Sequence, residues 1–159
     1  MEEDLNEIRF ILDVHLGKLA KYLRLLGFDS LMDKDLDDKG IIERAFREKR
    51  VILSRDKLLM RSKLVVKGLL ITSSKPVSQL EEVIHKFNIS PSVNPFSRCT
   101  VCNMVIQPVD KEIVIGLIPP KTQKYYDEFL RCTGCGRIYW KGSHYEKMMK
   151  FIQSIAQEK

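Results

Sequence analysis

Four cysteines stand in two close pairs in the last third of the chain, and they constrain the fold more than any other feature. The pairs are Cys99-Thr-Val-Cys102 and Cys132-Thr-Gly-Cys135. The C-x₂-C spacing lets two thiolates of one turn bind a single tetrahedral ion, so two such turns can complete a Cys₄ site with no open position. The spacing therefore predicts structural Zn²⁺ in a small ribbon, with a loop inserted between the pairs. A redox C-x₂-C is the alternative.

The composition is that of a globular protein. The chain has 159 residues, of which 44% are hydrophobic and 30% charged, and no apolar run approaches the roughly 20 residues that a membrane span requires. The first ten residues, MEEDLNEIRF, lack the basic-then-apolar order of a signal peptide, so we expect a reducing, cytoplasmic location without a membrane partner. The formal net charge of +6 favours a polyanionic partner.

Short apolar runs alternate with helical patterns along the first part of the chain. The strand-like runs are FIL, DSLM, RVILS and GLLIT. Helical patterns follow them: one ends at Gly27, a second has Asp38 placed as its cap, and a third has Ser78 and Glu81 at capping-box spacing. This alternation predicts an α/β fold, a parallel sheet with helices on both faces.

The polar, proline-containing segment NISPSVNPFS separates this unit from the cysteine pairs. We therefore expect two units: residues 1–97, the α/β domain with its linker, and residues 98–159, the ribbon with a final helix. Met148, Met149, Ile152 and Ile155 follow helical spacing, and we expect them to lie against the first unit.

A carboxylate stands at the end of two of the predicted strands. Asp13 follows FIL and Asp56 follows VILSR, and the carboxyl ends of parallel strands border the ligand crevice of such a sheet. Asp38, at a helix start on the same side, can join them. Clustered carboxylates need a cation, and Mg²⁺ or Mn²⁺ held by oxygen ligands suits phosphodiester hydrolysis. Each acid taken alone could equally be a helix cap or an Asx-turn.

Other enzymes also place an acid at a strand end. A phosphatase of the haloacid dehalogenase type requires D-x-D, whereas His15 follows Asp13-Val14. A response-regulator receiver would use an acid near Asp56, but the paired acids and the lysine that it needs are not evident.

Longer strings of residues resemble one known family. FILDVHLGKLAKYLRLLGFDS, VILSRDKLL, RCTVCN and YYDEFLRCTGCGRIYWKGSHYEKM are similar to the Mut-seven C-terminal RNase domain family, from about residue 9 to 153. The resemblance implies a PIN-like domain fused to a zinc ribbon and, by similarity to PIN nucleases, a Mg²⁺- or Mn²⁺-dependent ribonuclease. It implies that Asp13, Asp38 and Asp56 hold the metal and that Ser54 orients Asp56 or a water molecule. Asp37 stays an alternative to Asp38.

A ribonuclease must hold a polyanion beside its acids, so we expect cations around the crevice. The candidate RNA-binding residues of the first unit are Lys18, Lys21, Arg24 and Arg55, and those of the ribbon are Arg137, Tyr139, Trp140, Lys141 and His144. The ribbon aromatics could stack unpaired bases. The helical cations could equally form a solvated face, and we expect at least one of the two ribbon aromatics to pack the ribbon onto the first domain.

Two classes of function follow. The leading hypothesis is a metal-dependent ribonuclease acting on single-stranded or structured RNA, with a structural zinc ribbon. The alternative is a non-catalytic RNA- or ribosome-binding module whose acids only cap helices. A protein inhibitor, as toxins have, is a further conceivable partner.

Overall fold

The structure is a computed structural model that describes residues 8–157, with side chains to residue 155. The acidic start of the chain, on which the expectation about export rests, lies largely outside the described residues. In chain order the elements are β1 (Phe10–Leu12), α1 (Gly17–Leu25), β2 (Ser30–Leu31), α2 (Asp38–Glu48), β3 (Val51–Ser54), α3 (Lys57–Arg61), β4 (Gly68–Leu70), α4 (Pro76–Phe87), β5 (Ile106–Val109), α5 (Lys111–Val114), α6 (Pro120–Tyr125), β6 (Phe129–Cys132), β7 (Ile138–Tyr139) and α7 (Ser143–Gln157).

The first four strands form one parallel sheet in the order β2-β1-β3-β4. The central strands β1 and β3 are buried along their whole length, and they pair with Ile11 opposite Ile52 and Leu12 opposite Leu53. Strands covered on both faces need continuous apolar runs, which FIL and VIL supply. The predicted parallel α/β sheet flanked by helices is confirmed.

Helices cover both faces of this sheet. Residues of α1, α4 and α7 share one apolar core, and residues of α2 and α3 share the other. Ile152 and Ile155 of α7 are buried in the first core, so the final helix packs against the first unit as its spacing predicts. Within residues 8–157, none of the helices has the length and apolar character to cross a lipid bilayer.

The ribbon is a second, antiparallel sheet in the order β5-β6-β7. β5 and β6 pair with Ile106 opposite Cys132, which brings the two cysteine turns to one end of the ribbon. The residues inserted between the cysteine pairs are not a simple loop, because they form α5, a 3-10 turn and α6. Proline at the start of α6 favours the helix, and the Gln123 side chain donates to the carbonyl oxygens of Ile115 and Ile118.

The connection between the two sheets is packed rather than free. Ile89 is fully buried in the first core, and the Asn94 N–H donates to the Leu26 carbonyl at 2.8 Å. Gly27 has a φ of +96°, and a Cβ there would lie 2.3 Å from the Asn94 carbonyl oxygen. Only glycine therefore permits this close approach after α1.

Two helices begin differently from the sequence-based prediction. Asp37, and not Asp38, is the N-cap of α2, since its carboxylate accepts from the Gly40 N–H at 2.8 Å. The predicted Ser78–Glu81 capping box is wrong because α4 already begins at Pro76, whose fixed φ suits the first helical position.

Candidate functional site

Three carboxylates line one cleft at the carboxyl ends of the central strands. Asp13 follows β1, Asp56 follows β3 by two residues, and Asp38 is the first residue of α2. All three lie in the wall of a cleft of about 460 Å³. The structure thus brings the three acids together where parallel strands end, which is where an open α/β sheet places its ligand sites.

Ser54 connects two of these acids. Its side chain is fully buried, and its Oγ accepts a hydrogen bond from the Asp56 N–H at 3.0 Å. The same hydroxyl donates to Oδ2 of Asp13 at 3.5 Å. The hydroxyl therefore fixes the backbone at Asp56 and faces the carboxylate of Asp13.

Asp13 and Asp56 also cap helical turns. Oδ1 of Asp13 accepts from the His15 N–H at 3.0 Å, and Oδ1 of Asp56 accepts from the N–H groups of Leu58 and Leu59 at 2.9 and 3.3 Å. Capping occupies one oxygen of each carboxylate. Each acid can therefore cap a helical turn and also present an oxygen to the cleft, because no cap uses its Oδ2.

Asp37 and Asp38 are adjacent, and the structure separates their positions. The Asp37 carboxylate is held at the N-cap of α2. Asp38 is exposed and lines the cleft, and its carboxylate has no hydrogen bond within the described part of the chain. Of the two, Asp38 is therefore the acid that faces the cleft.

Two cations share the cleft with the acids. Arg55 and Lys34 are both exposed and line its wall. Arg55 is one of the RNA-binding candidates, whereas sequence reasoning missed Lys34. Its signal was available in the turn DKDLDDKG, where Lys34 stands four residues before Asp38, an acid of the same cleft.

The cysteine cluster has the geometry of a metal site. The sulfur atoms of Cys99, Cys102, Cys132 and Cys135 all lie within 4.8 Å of one another. Among the described residues, no other group of three or more His, Cys, Asp or Glu side chains has its ligand atoms close enough to hold one metal ion. The acids of the cleft do not meet this criterion. The four cysteines are thus arranged to hold a metal ion, consistent with structural zinc.

The close sulfur contacts run between the cysteine turns. Sγ of Cys102 lies 3.3 Å from Sγ of Cys132, and Sγ of Cys99 lies 3.7 Å from Sγ of Cys135. A redox C-x₂-C would bring together the two cysteines of one turn, and a disulfide needs a separation of about 2.05 Å. The arrangement therefore favours a metal site over the redox alternative.

Electrostatics within the cluster oppose ionisation of all four thiols without a cation. Burial would raise the pKa of Cys99, but the Tyr139 hydroxyl at 3.0 Å and nearby backbone amides lower it to about 6. At Cys135 the Arg137 amide favours the thiolate, yet burial and the other sulfurs raise the pKa to about 11. Four thiolates are compatible at this distance when a metal compensates their charge.

Tyr139 and Trp140 pack within the ribbon and not onto the first domain. Tyr139 contacts the cysteine cluster, and the Trp140 ring meets Phe129 edge to face at 6.3 Å. The expectation that one of them joins the ribbon to the first domain is therefore wrong. Their contacts lie among the residues of the ribbon and of the segment inserted between the cysteine pairs.

Arg24 makes one of the contacts that hold the ribbon in place. Its side chain is 6% exposed, and it donates to the carbonyl oxygens of Ser30, Thr100 and Val101 at 2.9 to 3.2 Å. The prediction that Arg24 belongs to an RNA-binding surface is wrong, because its donors are directed into the protein. It joins α1 and the sheet edge to the first cysteine turn.

Most of the other RNA-binding candidates lie around a second, larger cleft between α1, the ribbon and α7. Its lining includes Lys18, Lys21, Arg137, Tyr139, Trp140 and His144. Lys141 lies beside that lining, with its Nζ 5.6 Å from the ring centre of Tyr145.

Comparison with known proteins gives a family assignment. The Mut7-C RNAse domain matches residues 8–152, nearly the whole chain. No curated protein and no solved structure matches. The family implies a nuclease-like function with RNA as the substrate, and the structure has acids at strand ends and a separate cysteine cluster. The chain therefore belongs to the Mut7-C RNAse domain family.

Proposed function

We propose that this protein is a ribonuclease that uses Mg²⁺ or Mn²⁺ and hydrolyses RNA phosphodiesters in the acid cleft. The observation that carries this proposal is the convergence of Asp13, Asp38 and Asp56 on one cleft in a member of an RNase domain family. Three carboxylates from separate elements line one cleft, and a cation would compensate the repulsion between their charges.

The residues present fit a hard divalent cation. Each acid keeps at least one carboxylate oxygen that no cap uses, and carboxylate oxygens are the ligands that Mg²⁺ and Mn²⁺ prefer. Asp13, Asp38 and Asp56 would hold the ion, after rotation of their side chains toward a common point. Such an ion would supply positive charge for the phosphate and would lower the pKa of the attacking water.

Other residues of the cleft bind and orient the substrate. Lys34 and Arg55 offer positive charge to the RNA phosphates on either side of the scissile bond. Ser54 positions Asp13 and Asp56 through its two hydrogen bonds, so we assign it an orienting role. The exposed ring of His15 also borders the cleft and can contact the RNA.

The metal of the cysteine cluster is Zn²⁺ in this proposal, with a structural role. Four sulfur ligands leave no open position for a substrate or water. Arg24 places a positive charge near Cys99 and Cys102, which suits a zinc tetrathiolate with a net charge of −2. Thiolate ligation also fits the reducing cytoplasm. We assign residues 1–97 to the nuclease unit and 98–159 to the ribbon with its helix.

Cleavage of single-stranded RNA with Mn²⁺ tests the proposal. We expect the Asp13→Asn variant to lose activity by about 100-fold or more, because one metal ligand is lost while the fold remains. Asp35→Asn is the matched control, since Asp35 is an exposed acid of the turn before Asp38 and is not part of the cleft lining. Equal cleavage by wild type and Asp13→Asn would refute the catalytic role, and RNA binding without any cleavage would favour the non-catalytic binding module.

A further inference from the structure

A cleft larger than the acid cleft lies outside the acid site. It has a volume of about 1250 Å³ and runs between α1, the ribbon and α7. Its volume exceeds the roughly 300 to 1,000 Å³ of most small-molecule pockets. An open cleft of this size suits a segment of a polymer better than a metabolite.

The charged side chains that line this cleft are all basic. The described residues that line it include five cations and no aspartate or glutamate; the cations are Lys18, Lys21, Arg98, Arg137 and Lys147. Acids make up 21 of the 159 residues of the chain, so composition does not account for their absence from the lining. Cations from α1, from the ribbon and from α7 face one space, which suits a polyanion that passes between them.

Aromatic rings lie between these cations. Tyr22 and Phe151 form one pair with ring centres 5.2 Å apart, and Phe96 and Tyr145 form another at 4.4 Å. All four rings are partly exposed and line the cleft, and so does Trp140. Rings in a basic groove provide surfaces on which unpaired bases can stack.

We propose that this cleft binds unpaired RNA and so makes the protein selective for single-stranded substrate. The inference rests on the proposed function. It adds a second RNA-binding site, and it specifies that the enzyme accepts single-stranded RNA. Aromatic stacking requires bases whose faces are free, whereas an A-form duplex stacks its bases on one another. The cations bind phosphates of any sequence, so the cleft selects strandedness and not sequence.

Helix α1 connects the cleft with the acid site. His15 and Leu16, just before α1, line the acid cleft, and Lys18 and Lys21 on α1 line the larger one. Leu16 and Lys18 are two residues apart in the chain, so both clefts border the start of α1. An RNA strand bound at Lys18 therefore lies near the end of α1 that borders the acid cleft.

The cleft exists only when the ribbon is seated on the first unit. One wall comes from α1 and the opposite wall from β7 and the residues after it. Arg24 and Asn103 hold the two units together, through the backbone of Thr100 and Val101 and through Ser30. RNA binding in the cleft thus depends on the cysteine cluster, although the cluster itself does not touch the RNA.

Fluorescence anisotropy of zinc-loaded protein tests this inference. The protein carries Asp13→Asn and the buffer contains no Mg²⁺ or Mn²⁺, so binding is measured without cleavage. The probes are a labelled single strand of about 12 nucleotides and its blunt duplex. We expect the single strand to bind about tenfold tighter or more, and equal affinity for both probes would overturn the inference.

Paired variants locate the binding surface. Lys21→Ala with Arg137→Ala removes one exposed cation from each wall, and we expect affinity to fall about tenfold and the salt dependence of log K to decrease by about 1.4. The matched control is Arg61→Ala with Lys63→Ala, which removes two exposed cations at or beside α3, the helix that covers the opposite face of the sheet. Equal losses in the two double variants would overturn the assignment to this cleft.

The Tyr145→Leu variant tests stacking separately from charge. We expect it to lower the affinity for the single strand by about fivefold or more and to leave the salt dependence unchanged, with thermal unfolding confirming that the variant is folded. Equally tight binding of a polyglutamate peptide would instead indicate an acidic protein partner and overturn the inference. Because Mn²⁺-dependent cleavage is not part of this assay, its outcome is independent of whether the acid cleft is catalytic.

Discussion

The side-chain amide of Asn103 donates a hydrogen bond to the carboxylate of Asp29 at 2.7 Å, and this contact joins the first cysteine turn to the edge of the parallel sheet. Oδ1 of Asn103 accepts from the Ser30 N–H at 2.9 Å, and Asp29 is also paired with Arg50 at 2.8 Å. Asn103 is 9% exposed and has a φ of +74°. One buried asparagine thus satisfies both a backbone and a side-chain group of the neighbouring unit.

The Asn103→Ala variant should be strongly destabilised. It leaves the Ser30 N–H without its partner, removes a donor from Asp29 and places alanine in a left-handed conformation, so we expect a loss of about 2 to 4 kcal/mol in the free energy of unfolding. Urea denaturation measures this loss. Asn88→Ala is the matched control, because Asn88 is also left-handed at φ +50° but is exposed. Equal losses in the two variants would show that the junction contributes nothing beyond backbone conformation.

Asp29 should make stability depend on pH in the acidic range. Burial would raise its pKa, but hydrogen bonds from Arg50 and Asn103 more than compensate, and the pKa falls below its ordinary 3.8. A carboxyl group with a lowered folded-state pKa stabilises the protein above the unfolded-state pKa, and this contribution is lost as the pH falls through the folded-state pKa.

The comparison of wild type with Asp29→Asn isolates this carboxyl group, since both proteins lose thiolate ligation alike on acidification. We expect the difference in their free energies of unfolding to be constant between about pH 6 and 8 and to shrink below about pH 4. Urea midpoints across this range measure it. A difference that persists unchanged to about pH 3 would contradict the ionic role of Asp29.

The sheet, the acids at its strand ends and the cysteine cluster were predictable because their signals are local. Continuous apolar runs such as FIL and VIL indicate buried parallel strands, and the acids that follow them stand at strand ends by chain order alone. The two C-x₂-C pairs likewise specify a tetrahedral site through spacing within each turn.

What the sequence did not predict depends on tertiary contacts. Arg24 continues the helical row of Lys18 and Lys21, and only the position of the ribbon over the end of α1 makes it a buried donor. Asn103 follows a cysteine pair and gives no signal that its partner is Asp29, which is 74 residues away. β6 is a strand of four residues that depends on pairing with β5 and β7. Its sequence is too short to show a period of its own.

The Cys132→Ser variant should lose the structural metal. Wild-type protein purified under reducing conditions should contain about one Zn²⁺ per chain, and serine in place of one thiolate breaks the closed tetrahedral set. We expect the melting temperature to fall by about 10 °C or more. Metal analysis and calorimetry measure both effects, with Thr133→Ser as the matched control inside the same turn. Zinc retained at one equivalent in Cys132→Ser would contradict a Cys₄ site.

Carboxylates from two strand ends and one helix start hold a single cation in the proposed enzyme, and Mn²⁺ binding followed by electron paramagnetic resonance tests this most directly. The titration uses zinc-loaded wild type, Asp13→Asn, Asp56→Asn and the control Asp35→Asn. We expect wild type and Asp35→Asn to bind one Mn²⁺ per chain, and each of the other variants to bind it about tenfold more weakly or worse. Mn²⁺ binding that is the same in wild type, Asp13→Asn and Asp56→Asn would contradict the account.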